Sequence, residues 1–464
     1  VGYGRAEIVV CSRSRDYHAL PQKLKFQGAI YLKSLTPAQI NRYFQQGGET
    51  LSTLRTAWQG DETLQELARS PLMLNIMTVA YQGLSAEQLP SINSLEERRK
   101  HLFNAYIQRM FERRTVRPLY PQDKSLQWLV WLAQRMVSNS QTLFFIERLQ
   151  PTWLATTKQR WSYRLGVRLL FGLICGFISA LHFSVLVMEN EPLKLAAFTI
   201  FGTLAGVIPG LLSAVFPGFL PGLFCGLLFI LLSIPFTGHL IAWEQGYKLH
   251  DLLSPLSIDG TVVGLFLGLT RQSIGIVDTI QWSWSRTWKY LLVGFAFSLV
   301  YIVVRFLLTD AYIEDGYVES LKEFPVFIAL FGLIGGLDKG KEIEQTAVPN
   351  QGIWRSLANS SLFFAILTPV GAICGWRYAD GIYELLSIGL AVGLLAAFAG
   401  GQRSGTVLLQ HFILRIFLWK NGCATWNYAC FLDYASDRIF LQKVGGAYIF
   451  THRLLLEHLA RSPV

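Results

Sequence analysis

From about Leu165 to Gly400 the chain is nearly stripped of charge, and this limits what it can fold into more than any other feature. Long apolar runs stand at Leu169–Val187, Leu195–Phe216, Leu220–Ile241 and Tyr290–Leu308. Shorter ones stand at Ile258–Leu269, Phe324–Leu337, Ser361–Trp376 and Leu385–Gly400. A helix needs about 20 apolar residues to cross the hydrocarbon core. A soluble core holds one such helix, but it cannot hold eight in succession. Over the whole chain 16% of residues are charged, against about 25% in an ordinary soluble domain. The shortfall falls in the middle, and both ends read as soluble protein. The sequence therefore predicts a membrane block of about eight spans between two soluble segments.

Basic residues set the orientation, because Lys and Arg are retained on the cytoplasmic side. Lys158, Arg160, Arg164 and Arg168 precede the first run. Arg271, Arg286 and Lys289 mark segment 271–289, and Lys339, Lys341 and Arg355 mark segment 338–360. Arg403, Arg415 and Lys420 follow the last run. The alternate loops are poor in basic residues, and 309–323 carries Asp310, Glu314, Asp315, Glu319 and Glu323. The expectation is a multi-pass plasma-membrane protein with both ends cytoplasmic.

The block carries signs of duplication. Trp161 with Arg164, Trp284-Ser285-Arg286 and Trp354-Arg355-Ser356 each stand before an apolar run. Glycine pairs then close runs at Gly335-Gly336 and Gly400-Gly401. Trp and Arg serve as interfacial anchors, and small residues allow close helix contact. Span centres are nearly free of ionisable groups, which favours an anchor or packed sensor over a charge-coupled transporter. Gly335–Lys341 imitates the start of a phosphate loop, but Glu342 stands where Ser or Thr would hold magnesium.

The net charge of +10 comes without a basic run interleaved with aromatics, so no nucleic-acid partner is predicted. Arg98-Arg99-Lys100 and Glu112-Arg113-Arg114 sit on helical patterns and read as solvated faces. Six cysteines form no CxxC pair, so neither a disulfide framework nor a metal site is expected.

Glu7–Arg13 reads as an apolar strand ending in Ser12-Arg13, and Ala29–Leu32 reads as a second strand. Thr36-Pro37-Ala38-Gln39 opens a helix with a capping box and Pro at N1. Helical patterns follow at Leu64–Met77, at Ser94–Arg114 with a second capping box, and at Ser125–Val137. The first 156 residues thus read as the tail of an α/β domain followed by a helical lid.

These residues resemble the NACHT branch of STAND/AAA-like NTPases. Ile8–Arg13 is similar to its sensor strand, and Tyr31–Thr36 with Ile40 and Tyr43 to the next strand and helix. Leu67–Leu74 is similar to the lid motif whose proline packs on the base. Tyr448–Ala460, with His452 and Glu457, is similar to the F-x-H-x-x-x-x-E close of the winged-helix domain. The resemblance covers about 1–156 and 403–464 and leaves out the membrane block. It implies nucleotide contacts from Ser12, Arg13, Pro71 and His452, and no catalytic or metal-binding residue in this chain. The structural alternatives are Arg13 paired with Asp16 and His452 in a wing–helix contact with Glu457.

The implied organisation is an α/β remnant at 1–50, a lid at 51–122, a first winged-helix part at 123–160, the membrane block at 161–402 and the rest of the winged helix at 403–464. The fold class is therefore mixed: a mainly α-helical polytopic protein with an α/β NTPase remnant, a helical lid and a winged-helix-like end. Gly445-Gly446 supplies a hairpin turn, and Tyr448 and Phe450 share one face of the returning strand. An insertion must return to the side it left, so the number of spans is even. The family's phosphate loop and magnesium-binding strand would lie upstream, so the chain reads as a fragment. ATP or GTP with Mg2+ belongs to the complete protein, and none is expected on this part, whose own NTPase activity is expected to be absent. The implied function is a membrane-anchored, nucleotide-dependent signalling switch that oligomerises on activation. Its partners are the bilayer, further copies of itself and its upstream half. The alternatives are a transporter or channel with cytoplasmic regulatory ends, or a non-catalytic membrane scaffold.

Overall fold

The computed structural model describes residues 10–22 (13 excepted), 28–84, 94–112, 117–187, 207–215, 280–308, 348–376, 381–399 and 405–463, with isolated residues between them, Ile274 among them. The described chain is mainly helical. It divides into two units, Val1–Glu112 and Arg113–Val464.

The first unit carries α1 (Ser14–His18), α2 (Pro37–Gln46), α3 (Ser52–Gly60), α4 (Glu62–Ala68), α5 (Pro71–Tyr81) and α6 (Leu95–Glu112). The expected capping box is present: Gln39 N–H donates to Thr36 Oγ1, and Thr36 N–H donates to the Gln39 side chain. The single helix expected over Leu64–Met77 is two. Pro71 disfavours helical backbone at the residue before it, and Ser70 is extended at φ −91° and ψ 125°. Asp61 joins three elements. One oxygen caps α4 by accepting from Leu64 N–H, 3.1 Å, and the other accepts from the buried Arg98 guanidinium of α6.

The strand expected at Ala29–Leu32 is not formed. Residues 28–36 have no regular structure, and Ile30, Tyr31 and Leu32 are exposed. A strand is stable only when its backbone groups pair with a neighbour, and among the described residues of this unit no strand lies beside it. Of the strand expected at Glu7–Arg13, only residues 10–12 are described, without regular structure, and the rest lies outside the described residues.

The second unit begins with α7 (Gln122–Ser138), followed by two single-turn 3-10 helices, Ile146–Arg148 and Pro151–Trp153. Next come α8 (Thr157–Val187), α9 (Val207–Val215), β1 (Ile280–Trp282), α10 (Trp284–Leu308), β2 (Leu337–Lys339), α11 (Gln351–Gly375) and α12 (Ile382–Ala399). The chain closes with α13 (Gly405–Lys420), α14 (Tyr428–Asp437), β3 (Leu441–Val444), β4 (Ala447–Phe450) and α15 (Arg453–Arg461). Among the described residues, two helical segments are long and apolar enough to cross a membrane, Thr157–Ile178 and Gln351–Ile373. The runs at Leu220–Ile241, Ile258–Leu269 and Phe324–Leu337 lie wholly or mostly outside the described residues.

Close helix contact uses glycine where a side chain would not fit. α8 and α9 meet backbone to backbone: a β-carbon built on Gly172 would overlap the carbonyl of Gly206, and one on Gly206 would overlap that of Gly172. α11 and α12 pair in the same manner, with Gly389 against the Thr368 carbonyl and Gly371 against Val392. β1 and β2 form an antiparallel ladder with Gln281 opposite Asp338. β3 and β4 turn at Gly445, whose φ of 59° suits glycine.

Candidate functional site

Chain positions far apart in sequence share one core in the second unit. Trp128 of α7 packs edge-on against Phe431 of α14, with ring centres 4.9 Å apart. Phe144 packs on Trp153 at 5.3 Å and on Tyr428 at 5.7 Å. Residues 144–154 form a strap whose apolar side chains Phe144, Ile146, Leu149, Trp153 and Leu154 are buried. Each aromatic pair adds about 0.5–1.5 kcal/mol beyond its burial.

The strap also pairs with the C-terminal hairpin. Phe144 N–H donates to the Tyr448 carbonyl at 2.8 Å, and Tyr448 N–H donates to the Phe144 carbonyl at 2.9 Å. This antiparallel bridge places Phe144 on the outer side of β4. Tyr448 is fully buried, and its hydroxyl donates to Asp433 at 2.8 Å. Burial, followed by that carboxylate, pushes the phenol pKa upward. On the far side of the core, Gln134 of α7 donates to the Ser462 carbonyl at 3.2 Å.

Three polar contacts tie the strap to the segments that flank the apolar helices. Glu147 is buried and accepts from Gly352 N–H at 3.3 Å, in the first turn of α11. That helix has no cap of its own, because Asn350 is left-handed at φ 65° and its side chain makes no capping bond. A helix N-terminus carries partial positive charge and unpaired N–H groups, so Glu147 supplies the cap from another part of the chain. Gln150 clamps the backbone of Ile274: its amide nitrogen donates to the carbonyl at 2.6 Å, and its amide oxygen accepts from the N–H at 3.0 Å. His411 of α13 donates from Nε2 to the Ile146 carbonyl at 2.9 Å. Burial pulls the His411 pKa down to about 4, because the charged imidazolium would lose its hydration. The neutral ring is the form that fits.

The strap thus contacts the C-terminal hairpin, α13, the Ile274 segment and the start of α11. Glu147, Gln150 and His411 are not distinguished in the sequence. Their only signal is polar residues interleaved with buried aromatic and aliphatic ones, a pattern shared with ordinary surface loops.

The residues expected to meet nucleotide are distributed as follows. Ser12 is exposed, immediately before α1, and Arg13 lies outside the described residues. Pro71 is exposed at the first position of α5. All three belong to the first unit, and His452 belongs to the second. His452 is the N-cap residue of α15, is half-buried, and has its pKa lowered by that burial. Glu457 pairs with Arg453 at 2.8 Å. The described residues around Ser12 and Pro71 include neither a phosphate loop nor acidic magnesium ligands, so by themselves they do not fit a nucleotide. No family model, curated protein or solved structure matches the chain.

Proposed function

We propose that the chain is the membrane-embedded part of a NACHT-type signalling NTPase. In this reading a multi-pass block is inserted into a winged-helix-like switch domain, and both soluble ends face the cytoplasm. Nucleotide is held by a half of the protein that the resemblance places upstream, and exchange there drives oligomerisation. The observation that carries this reading is the strap 144–154, bound at once to the C-terminal hairpin and to the segments flanking the apolar helices.

The same contacts support an even number of crossings. The strap touches Ile274 and Gly352. β1 pairs with β2, so the chain leaves along α10 and returns beside its point of departure. His411 brings α13 to the strap as well. In this reading segments 157–274, 284–337 and 352–405 each start and finish on one side. That side holds Arg286, Lys289, Lys339 and Arg355, as retention of positive charge requires.

His452 is assigned a positioning role, in which the imidazole at the start of α15 holds the domain against bound nucleotide in the resting state. The test uses the chain joined to its upstream half and reconstituted in vesicles. His452→Ala is expected to speed nucleotide release by about ten-fold, the equivalent of one lost hydrogen bond to a charged group. Release at the unmodified rate would remove this role. Ion flux through sealed vesicles would instead favour a channel.

A further inference from the structure

We propose that the outer face of α13 is a membrane-docking surface that seats in the interfacial layer of an anionic leaflet. The proposal rests on α8 being a membrane helix, and it adds a second contact, made by the switch domain itself.

α13 is mainly apolar, interrupted by Gln410, His411, Arg415 and Lys420. Its inner face buries Val407, Gln410, His411, Leu414 and Leu418 in the shared core. Its outer face presents Phe412 and Trp419, seven residues apart and about half exposed. Trp426, equally exposed, packs edge-on against both, with ring centres at 5.8 and 6.1 Å. Arg415 lies between them and donates to the Trp426 carbonyl at 3.0 Å. α13 packs against α8, α11 and α12, and among the described residues the ridge of Phe412 and Trp419 is the part of its apolar surface left exposed.

Continuity with α8 identifies the cover. Gln159 donates to Asn421 at 2.9 Å, Tyr163 packs edge-on against Phe417, and Gly166 faces Phe417 and Ile413. The two helices therefore run antiparallel, and Phe412 lies further along the apolar course of α8 than Trp419 does. On α8, Trp161, with Arg164 stacked 4.8 Å over its ring, and Leu165 are exposed on the side turned away from this contact, and Phe177 is exposed further along the helix. The end of α13 that carries Phe412 thus lies level with the residues of α8 that lead into its apolar run.

Charge points to the same occupant. Thr157–Val187 and the stretch from Gly405 to Leu432 contain no Asp or Glu, while Lys158, Arg160, Arg164, Arg415 and Lys420 are basic. Trp and Tyr rings with Arg and Lys beside them are suited to the headgroup layer, and basic clusters are drawn to anionic lipid. A helix rises about 1.5 Å per residue, so Phe412 is expected about 10 Å deeper than Trp419 if α13 follows the membrane normal, and less deep if it tilts.

The test uses the full chain with Cys11, Cys374, Cys423 and Cys430 changed to serine, which leaves the buried Cys175 and Cys225. Single cysteines introduced by Phe412→Cys, Trp419→Cys, Phe177→Cys or Val444→Cys carry an environment-sensitive fluorophore. The protein is reconstituted into phosphatidylcholine–phosphatidylglycerol vesicles containing spin-labelled lipid. Labels at 412 and 419 are expected to be quenched at least about two-fold more than the label at 444, as for rings buried about 5–10 Å below the surface, and 412 more than 419. Quenching at 177 without quenching at 412 and 419 would overturn the docking surface and leave the membrane helix standing. Absence of quenching at all three would overturn both. Protection at 412 and 419 that persists in detergent and rises with protein concentration would identify a second copy as the occupant, and would overturn the lipid assignment.

Discussion

His411 concentrates two requirements in one side chain. It must donate to the Ile146 carbonyl, and it must do so uncharged within a core. Folded His411 takes up a proton only near pH 4, whereas the unfolded imidazole does so near its ordinary 6.5. Between these values the unfolded chain binds the extra proton. Stability is therefore fully present above pH 6.5 and is lost as pH falls toward 4. The gap is worth about 3 kcal/mol. Heat denaturation of the reconstituted chain is expected to show the melting temperature falling across this window. His411→Gln, which keeps an N–H donor, is expected to flatten the fall, and an unchanged slope would assign the acid sensitivity to other groups. Glu147 is buried as well, and its side-chain oxygen accepts from Gly352 N–H at the start of α11.

Glycine spacing decides how the apolar helices pair. Gly172 and Gly206 stand in reciprocal contact, each facing the other's carbonyl. Apolar side chains gain nothing by leaving lipid for one another, so close backbone contact and dispersion must hold such helices together. Gly172→Val forces the helices apart and is expected to cost about 1–3 kcal/mol, read as a melting temperature lowered by several degrees in detergent. Gly60→Ala is the control, because a β-carbon there meets nothing within 4 Å. Equal melting for both variants would remove the crossing from the account. The helix caps follow the same local logic. Thr36 with Gln39 was readable because the partners lie three residues apart in sequence. The cap of α11 was not, because its acceptor stands at Glu147, 205 residues away.

At the scale of the molecule, the strap makes topology testable. If segment 338–360 lies on the strap's side and loop 309–323 on the other, a cysteine introduced by Val348→Cys labels from one face of sealed vesicles. One introduced by Asp315→Cys labels from the opposite face. Labelling of both from one side would overturn the arrangement of crossings. The expectation concerns Asp315 through its sequence context alone, since it lies outside the described residues.

The sequence by itself determined what is local. Apolar run length marked α8 as a membrane-length helix, Thr36 and Pro37 fixed where α2 starts, and Gly445 fixed the turn between β3 and β4. Each depends on neighbours within a few residues, where propensity and periodicity act directly. Where a feature depends on a distant partner, local pattern failed. Ala29–Leu32 has strand composition but no strand beside it among the described residues. Leu64–Met77 has one continuous helical pattern that Pro71 divides. Only the tertiary structure decided that Phe144 pairs with Tyr448 and that Glu147 caps α11. It alone decided that His411 is buried neutral against Ile146. These are pairings between groups hundreds of residues apart, and their energy comes from excluding water around partners that no local pattern brings together.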